Sequence, residues 1–280
     1  LEGAEADLAE FMTTLYSGSA DPETFPAPPE VVEAFVAAEG EAPLEGSAAV
    51  AAWDEQVRLG VVEVGEDVTL LVADPEWRVV GGWWPSVEAG THLGEFPKIV
   101  AVVGSDARPK EQRDETRSDS IHFVGIDAEG NAGIVGVPRD SWVPIPGRGR
   151  SKINAALALG GPQLMMDTFA DLTGLDFDGY LLTGFAGFEG LIEVLGGLAI
   201  EVPQRFNDSA AKADIEPGEQ VLDPKQALAM ARTRKTLPRG DFQRQYHGGL
   251  ILQAAQAMVK ARGPLALPDL LAGAQPHVST

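Results

Sequence analysis

The chain has 280 residues, 44% of them hydrophobic and 22% charged, with no cysteine and a formal net charge of −21. That composition supplies a globular core, excludes disulfides, thiolate metal sites and a cysteine nucleophile, and argues against a nucleic-acid partner, which needs a basic face. The charge is uneven: residues 1–96 hold 20 Asp and Glu against only Arg58 and Arg78, so −18 falls there and −3 on the remainder.

No run reaches the roughly 18–20 apolar residues of a membrane helix, and no basic-then-apolar leader is present. The start at Leu1-Glu2-Gly3 reads as a processed or truncated chain, with any membrane anchor expected upstream. Leu8, Phe11, Met12 and Leu15 predict a first helix, Pro22 to Pro29 a break, residues 29–38 a second helix, and Ser47 the cap of a third reaching about Arg58. Strands follow over 61–72 and 77–80, with turns at Gly65-Glu66-Asp67 and Asp74-Pro75. The acids of this stretch are spread along its surface, so residues 1–96 read as a small acidic α+β accessory region. Gly81 to Pro97, with Trp83 and Trp84, reads as its linker to a second unit, 97–280.

In the second unit, 99–103, 121–126 and 133–137 read as strands, and Gly130-Asn131 turns the last two into an antiparallel hairpin. Helices are expected over 152–159 and 162–172, divided by Gly160-Gly161-Pro162, then strand 179–183, helix 186–195, strand 198–202, helix 224–232 and a long helix over 241–261. Mixed strands alternating with helices predict a three-layer α/β/α sandwich around a central mixed sheet.

Strand ends gather charge. Asp106 and Arg108 follow the first strand, and Arg139 and Asp140 the third. A hairpin pairing Asp127 with Ala132 sets Ser120 opposite Arg139, bringing Arg117 and Asp119 to the same edge. Residues two apart in an extended segment share a face, and α/β sheets bind ligands at strand ends. Two carboxylates suit Mg²⁺, which prefers one or two of them plus phosphate oxygens, while guanidiniums offer planar paired donors. The same residues could be ordinary surface ion pairs. Arg232, Arg234, Lys235, Arg239 and Arg244 against Asp241 form a second cluster of net +4, which is either an anion site or a basic helix end with a solvated loop.

Gly104-Ser105-Asp106-Ala107-Arg108, Arg117-Ser118-Asp119-Ser120-Ile121, Val137-Pro138-Arg139-Asp140 and Lys152-Ile153-Asn154-Ala155-Ala156 resemble the LytR-CpsA-Psr family of cell-wall polymer ligases. The likeness continues through Ala231-Arg232-Thr233-Arg234 and Gly240-Asp241-Phe242-Gln243-Arg244, covering roughly 98–260. It implies an extracytoplasmic phosphotransferase, membrane-associated through an anchor outside this chain, that joins a polyprenyl-pyrophosphate-linked glycopolymer such as teichoic acid or arabinogalactan to peptidoglycan. By motif, Asp106 and Asp119 would bind Mg²⁺, and Arg117, Arg139, Arg232, Arg234 and Arg244 would hold the pyrophosphate, with Arg108 and Lys152 as further donors. Arg117, Asp119 and Arg139 would be the catalytic set. A lipid groove could draw on Leu157, Leu164, Met165, Phe169 and Leu181, or on Phe185, Phe188, Leu191 and Leu250, residues a plain core also demands.

One departure stands out. Where the family commonly continues Arg-Gln-Gln one turn after the arginine matching Arg244, this chain has His247-Gly248-Gly249. A glutamine contact to phosphate is thereby missing. A polyprenyl-pyrophosphate pyrophosphatase and a non-catalytic envelope lipid- or polymer-binding protein are the alternative readings.

Overall fold

A computed structural model describes residues 49–54, 56–73, 77–85, 89–92, 96–107, 112–127 and 129–280. Two compact units divide the chain: residues 1–96 with 260–272, and residues 97–259 with 273–280. The helices expected at 8–15 and 29–38 lie outside the described residues.

The first unit contains an antiparallel sheet in sequence order: β1 (Ala49–Asp54), β2 (Leu59–Val64), β3 (Asp67–Ala73), β4 (Trp77–Trp84) and β5 (Ala89–His92). The expected third helix is therefore a strand over 49–54. Its alanines favour helix intrinsically, but pairing Ala51 with Val62 and Ala52 with Val61 overrides that weak preference. The following turn is secured by Asp54 Oδ1, which accepts the N–H groups of Gln56 and Val57 at 2.8 and 3.1 Å. Part of the expected linker, 81–84 and 89–92, is also strand: Gly81 and Gly82 pair with Leu70 and Thr69, beside a register shift between Leu70 and Leu71. Glycine in a strand marks a bulge or a close approach as readily as it marks a linker.

The second unit is built on a four-stranded mixed sheet of β6 (Lys98–Ser105), β7 (Ser118–Ile126), β8 (Ala132–Gly136) and, after the hairpin β9 (Trp142–Ile145) and β10 (Gly149–Lys152), β11 (Gly179–Thr183). The order is β11-β6-β7-β8, with β11 parallel to β6 and the other pairs antiparallel. Helix α1 (Ala155–Thr173) covers one face. Ile121 and Phe123 of β7 pack there with Leu157, Met165 and Phe169, and the rings of Phe123, Phe169 and Phe177 meet at 5.0–6.4 Å between centroids. As expected, α1 is broken at Gly160 and Gly161, where Gly161 takes φ 69°.

The opposite face carries α2 (Phe185–Val194) and α4 (Asp241–Arg262), completing three layers. A second core forms among α2, the strands β12 (Leu198–Val202), β13 (Phe206–Asp208), β14 (Ala213–Ile215) and β15 (Gly218–Leu222), α3 (Pro224–Arg232) and α4. Asp223 starts α3 by a reciprocal cap with Gln226. After α4 comes α5 (Leu267–Ala274), and the last residues strap the sheet margin: Leu182 and Ser279 exchange two backbone hydrogen bonds of 2.8 Å. Thr183 Oγ1 donates to the His277 carbonyl at 2.9 Å, and the His277 ring fills a slot that a Cβ on Gly190 would close.

The hairpin register differs by one from the expected pairing. Ile126 faces Ala132 and His122 faces Gly136, because Asp127 belongs to the turn, where Oδ1 accepts the Asn131 N–H at 2.7 Å. Continued past Gly136, this register sets Asp119, not Ser120, against Arg139. A second irregularity matters as much: Gly104 pairs with Ser120 but Ser105 with Ser118, leaving Asp119 as the extra residue of a β-bulge.

Candidate active site

A cavity of about 630 Å³ opens within the second unit. Its lining along α4 runs from Arg244 through Ile251 and Leu252 to Ala255, a span of about 16 Å at 1.5 Å per residue. The cavity is thus charged toward the start of α4 and apolar three turns on. Phe185, Phe188, Leu191 and Ile192 of α2 add to the apolar wall. Arg139, Arg232, Arg234, Lys235 and Arg244 face Asp106, Asp119 and Asp208 within it, so cations outnumber carboxylates in a chain whose net charge is −21. An anion relieves the mutual repulsion of those cations.

The charged end is pre-organised. The Arg139 guanidinium donates to Asp119 Oδ2, while Arg244 donates to the Asp119 carbonyl at 2.5 Å and lies 2.6 Å from Asp241 Oδ1. Asp241 Oδ2 accepts the Arg139 N–H at 3.1 Å, tying the start of α4 to the end of the hairpin. Burial lowers the affinity of Arg139 for its proton, but the hydrogen bond and charge of Asp119, with Asp140 and Asp241 behind it, raise its pKa overall. For Arg244 burial wins, aided by Arg139 and Arg234 and opposed by Asp241 and Asp119, and the pKa falls. Both arginines stay charged. The Nε atoms of both are buried without a hydrogen-bond partner, as is Asp119 Oδ1; such atoms cost about 1–3 kcal/mol each unless a ligand meets them.

Asp208 shapes the third side. Burial alone would raise its pKa, but the N–H groups of Ala210, Arg234, Ala211 and Lys235 hold it below the usual value. The carboxylate thereby anchors the segment carrying Arg234 and Lys235. Arg232 stacks over the Phe185 ring at 4.5 Å.

Seven charged residues expected from the sequence meet in this cavity: Asp106, Asp119, Arg139, Arg232, Arg234, Lys235 and Arg244. Arg117 does not join them. Its side chain is exposed and away from the lining, while its N–H donates to Asp106 Oδ1 at 3.1 Å. Parity had placed Arg117 with Asp119, and the bulge at Asp119 breaks that parity. Lys152 is also outside, bonded to Asp140 at 2.5 Å on the surface. Arg108 lies outside the described residues. Of the apolar candidates, Phe185, Phe188 and Leu191 line the cavity, whereas Leu157, Met165 and Phe169, with Leu164 against them, belong to the core beneath α1. Leu181 is exposed, and Leu250 packs against the second core.

Asp208, Ser120 and His122 were not singled out from the sequence. For the last two a signal existed, since alternation along β7 places both on one face. Asp208 gave none beyond its Asn-Asp-Ser context, because its role depends on the fold bringing residues 210 and 234 to it.

Asp106 and Asp119 could hold a divalent cation. The unpartnered Asp119 Oδ1 offers a ligand atom, and no group of three or more His, Asp or Glu suited to a metal exists among the described residues. A pair of carboxylates completed by phosphate oxygens fits Mg²⁺ better than an ion needing an all-protein cage.

A profile of the LytR_cpsA_psr family matches residues 90–280. A probable cell wall biosynthesis protein, LcpB of Corynebacterium glutamicum, is 34% identical over 142 residues, 49% of this chain and 34% of that protein. TagU of Bacillus cereus, a polyisoprenyl-teichoic acid–peptidoglycan teichoic acid transferase, is 30% identical over 190 residues, 66% of this chain and 60% of that one. The chain thus spans between about a third and three fifths of these two relatives. Among solved structures, B. subtilis TagV superposes with a TM-score of 0.57 at 29% identity, over 65% of this chain and 73% of that one. TagT bound to LIIa-WTA superposes at 0.52 and 27%, over 60% and 68%. With its α/β architecture and a family match that covers most of its length, the chain belongs to the LytR_cpsA_psr family.

Proposed function

We propose that this cavity binds a polyprenyl-pyrophosphate-linked cell-wall glycopolymer and that the protein transfers the polymer to a hydroxyl of peptidoglycan at the extracytoplasmic face of the membrane. The observation that carries this reading is the joining of a cationic, carboxylate-bearing end to an apolar channel in one cavity of about 630 Å³. A pyrophosphate with a hydrocarbon tail needs both. The relatives support it: TagU is named a polyisoprenyl-teichoic acid–peptidoglycan teichoic acid transferase, and a solved structure has TagT bound to LIIa-WTA.

The residues divide the work. Arg139 and Arg244, held by Asp119 and Asp241, present fixed donors whose Nε atoms lack hydrogen-bond partners in the protein. Such donors stabilise charge growing on phosphoryl oxygens without reorganising. Arg232 and Arg234 grip the far oxygens, with Asp208 holding the Arg234 backbone. Asp106 and Asp119 would hold Mg²⁺, which when bound supplies Lewis-acid neutralisation of the pyrophosphate. Phe185, Phe188 and Leu191 shelter the tail and keep water from that end of the cavity.

Incubation of the purified protein with a synthetic polyprenyl-pyrophosphate oligosaccharide, peptidoglycan fragments and Mg²⁺ tests this. The expected products are a phosphodiester-linked conjugate and polyprenyl phosphate, both lost in Arg139→Ala and on chelation. Cleavage with water alone as acceptor would show a hydrolase. Binding without turnover would show a carrier.

A further inference from the structure

The departure at Gly248 has a partner across the site. A Cβ on Gly248 would fall 2.5 Å from Cε1 of His122 and 2.7 Å from Nε2, so the imidazole occupies the room that a longer residue at 248 would claim. The ring is buried, and both its nitrogens are engaged. Nε2 lies 2.8 Å from the carbonyl oxygen of Gln245, and Nδ1 lies 3.3 Å from Ser120 Oγ. A carbonyl only accepts, so Nε2 carries the proton and Nδ1 in the neutral ring is left to accept. Burial foremost, with Arg244 nearby, keeps the ring neutral. The Ser120 hydroxyl therefore gives its hydrogen to His122 and turns its lone pairs elsewhere.

Both residues line the cavity, and Ser120 adjoins Asp119 in the chain. A hydroxyl oxygen that can only accept is wrong for phosphate oxygens, which also accept, and right for a hydroxyl that must donate. We propose that Ser120 contacts the incoming acceptor hydroxyl, taking its hydrogen bond, and that His122 is the positioning residue that fixes the Ser120 rotor through the Gln245 carbonyl. This rests on the transferase reading above. It assigns to a serine and a histidine the orientation of the attacking sugar, while the arginines hold the donor.

Ser120→Ala, Ser120→Thr and His122→Phe test it. In Ser120→Ala, binding of a synthetic polyprenyl-pyrophosphate sugar stays within about twofold of wild type, while transfer to a peptidoglycan fragment falls about tenfold, through the acceptor KM. Ser120→Thr, which keeps the hydroxyl, recovers most of the rate. Long-range ¹⁵N–¹H correlation of the imidazole shows the Nε2-protonated tautomer, with an Nδ1 resonance that moves in Ser120→Ala. His122→Phe, if folded, reproduces the acceptor defect; if it does not fold, the tautomer and the two serine variants decide. Wild-type transfer in Ser120→Ala overturns the inference alone, as does loss of donor binding, which would place Ser120 on phosphate. An Nδ1-protonated ring also overturns it. Absence of transfer by the wild-type protein would instead remove the transferase reading, and this inference with it.

Discussion

The two faces of the four-stranded sheet obey different rules although they share strands. Beneath α1 the lining is apolar and close-packed: Ile121 is fully buried, and Phe123 meets Phe169 and Phe177 edge to face or tilted. Toward α2 and α4 the same strand β7 presents Ser120 and His122, and buried polar atoms there go without hydrogen-bond partners, among them Ser105 Oγ on the cavity wall and both amide atoms of Gln245. One face gains stability from close packing. The other forgoes it to keep donors and acceptors ready for a ligand.

Substitutions on each side should separate these roles, beginning with the largest effect. Phe169→Ala removes a fully buried ring, and a loss of about 3–5 kcal/mol is expected in denaturant unfolding, with donor affinity of the remaining folded protein little changed. Asp119→Asn keeps shape but removes the charge between Arg139 and Arg244. It is expected to cost roughly 1–3 kcal/mol and to abolish Mg²⁺-dependent transfer; a variant with normal turnover would break the division between faces. Gly248→Ala forces a methyl against His122 and should cost about 1–3 kcal/mol as overpacking, read as a lower melting temperature.

Acid provides a subtler probe of the same face. Burial lowers the pKa of both His122 and His247, so below about pH 6.5 the unfolded chain takes up protons that the folded one refuses. Stability is then present above that pH and lost as the pH falls toward the folded values. His122 contributes at most about 1.4 kcal/mol per pH unit in that window. Denaturation midpoints between pH 7.5 and 5 should decline accordingly, and the slope should flatten in His122→Phe. The smallest effect belongs to Lys152→Ala. Its pair with Asp140 is half-exposed, so no more than about 0.5 kcal/mol is expected, and transfer should persist. A large loss of transfer in that variant would extend the site beyond the cavity described.

Much of the second unit was legible because its signals are local. The Gly160-Gly161-Pro162 break, helix α3 over 224–232 and the long α4 follow from backbone chemistry and periodicity that neighbouring residues do not override. The meeting of Asp106, Asp119 and Arg139 was legible too, since strand ends converge whichever register is chosen, whereas Arg244, on a helix, was joined to them only by the family resemblance. What failed depended on a single residue of phase. The Asp127 turn moved the hairpin register by one, and the bulge at Asp119 turned that carboxylate inward while leaving Arg117 outside. Strand β1 was misread because alanine-rich segments take their conformation from their partners. The His122–Gly248 fit was illegible for a related reason: two residues 126 positions apart complement each other only once β7 and α4 are packed.

The strap over β11 has a consequence for handling the protein. A bare sheet margin recruits other chains, and natural folds guard against this by covering it. Here the guard is two backbone bonds at Ser279, the His277 carbonyl set against Gly187 and the His277 ring seated against Gly190. Trimming those last residues would unmask a template for self-association, so aggregation in shortened preparations would report a lost cover and not a weakened core.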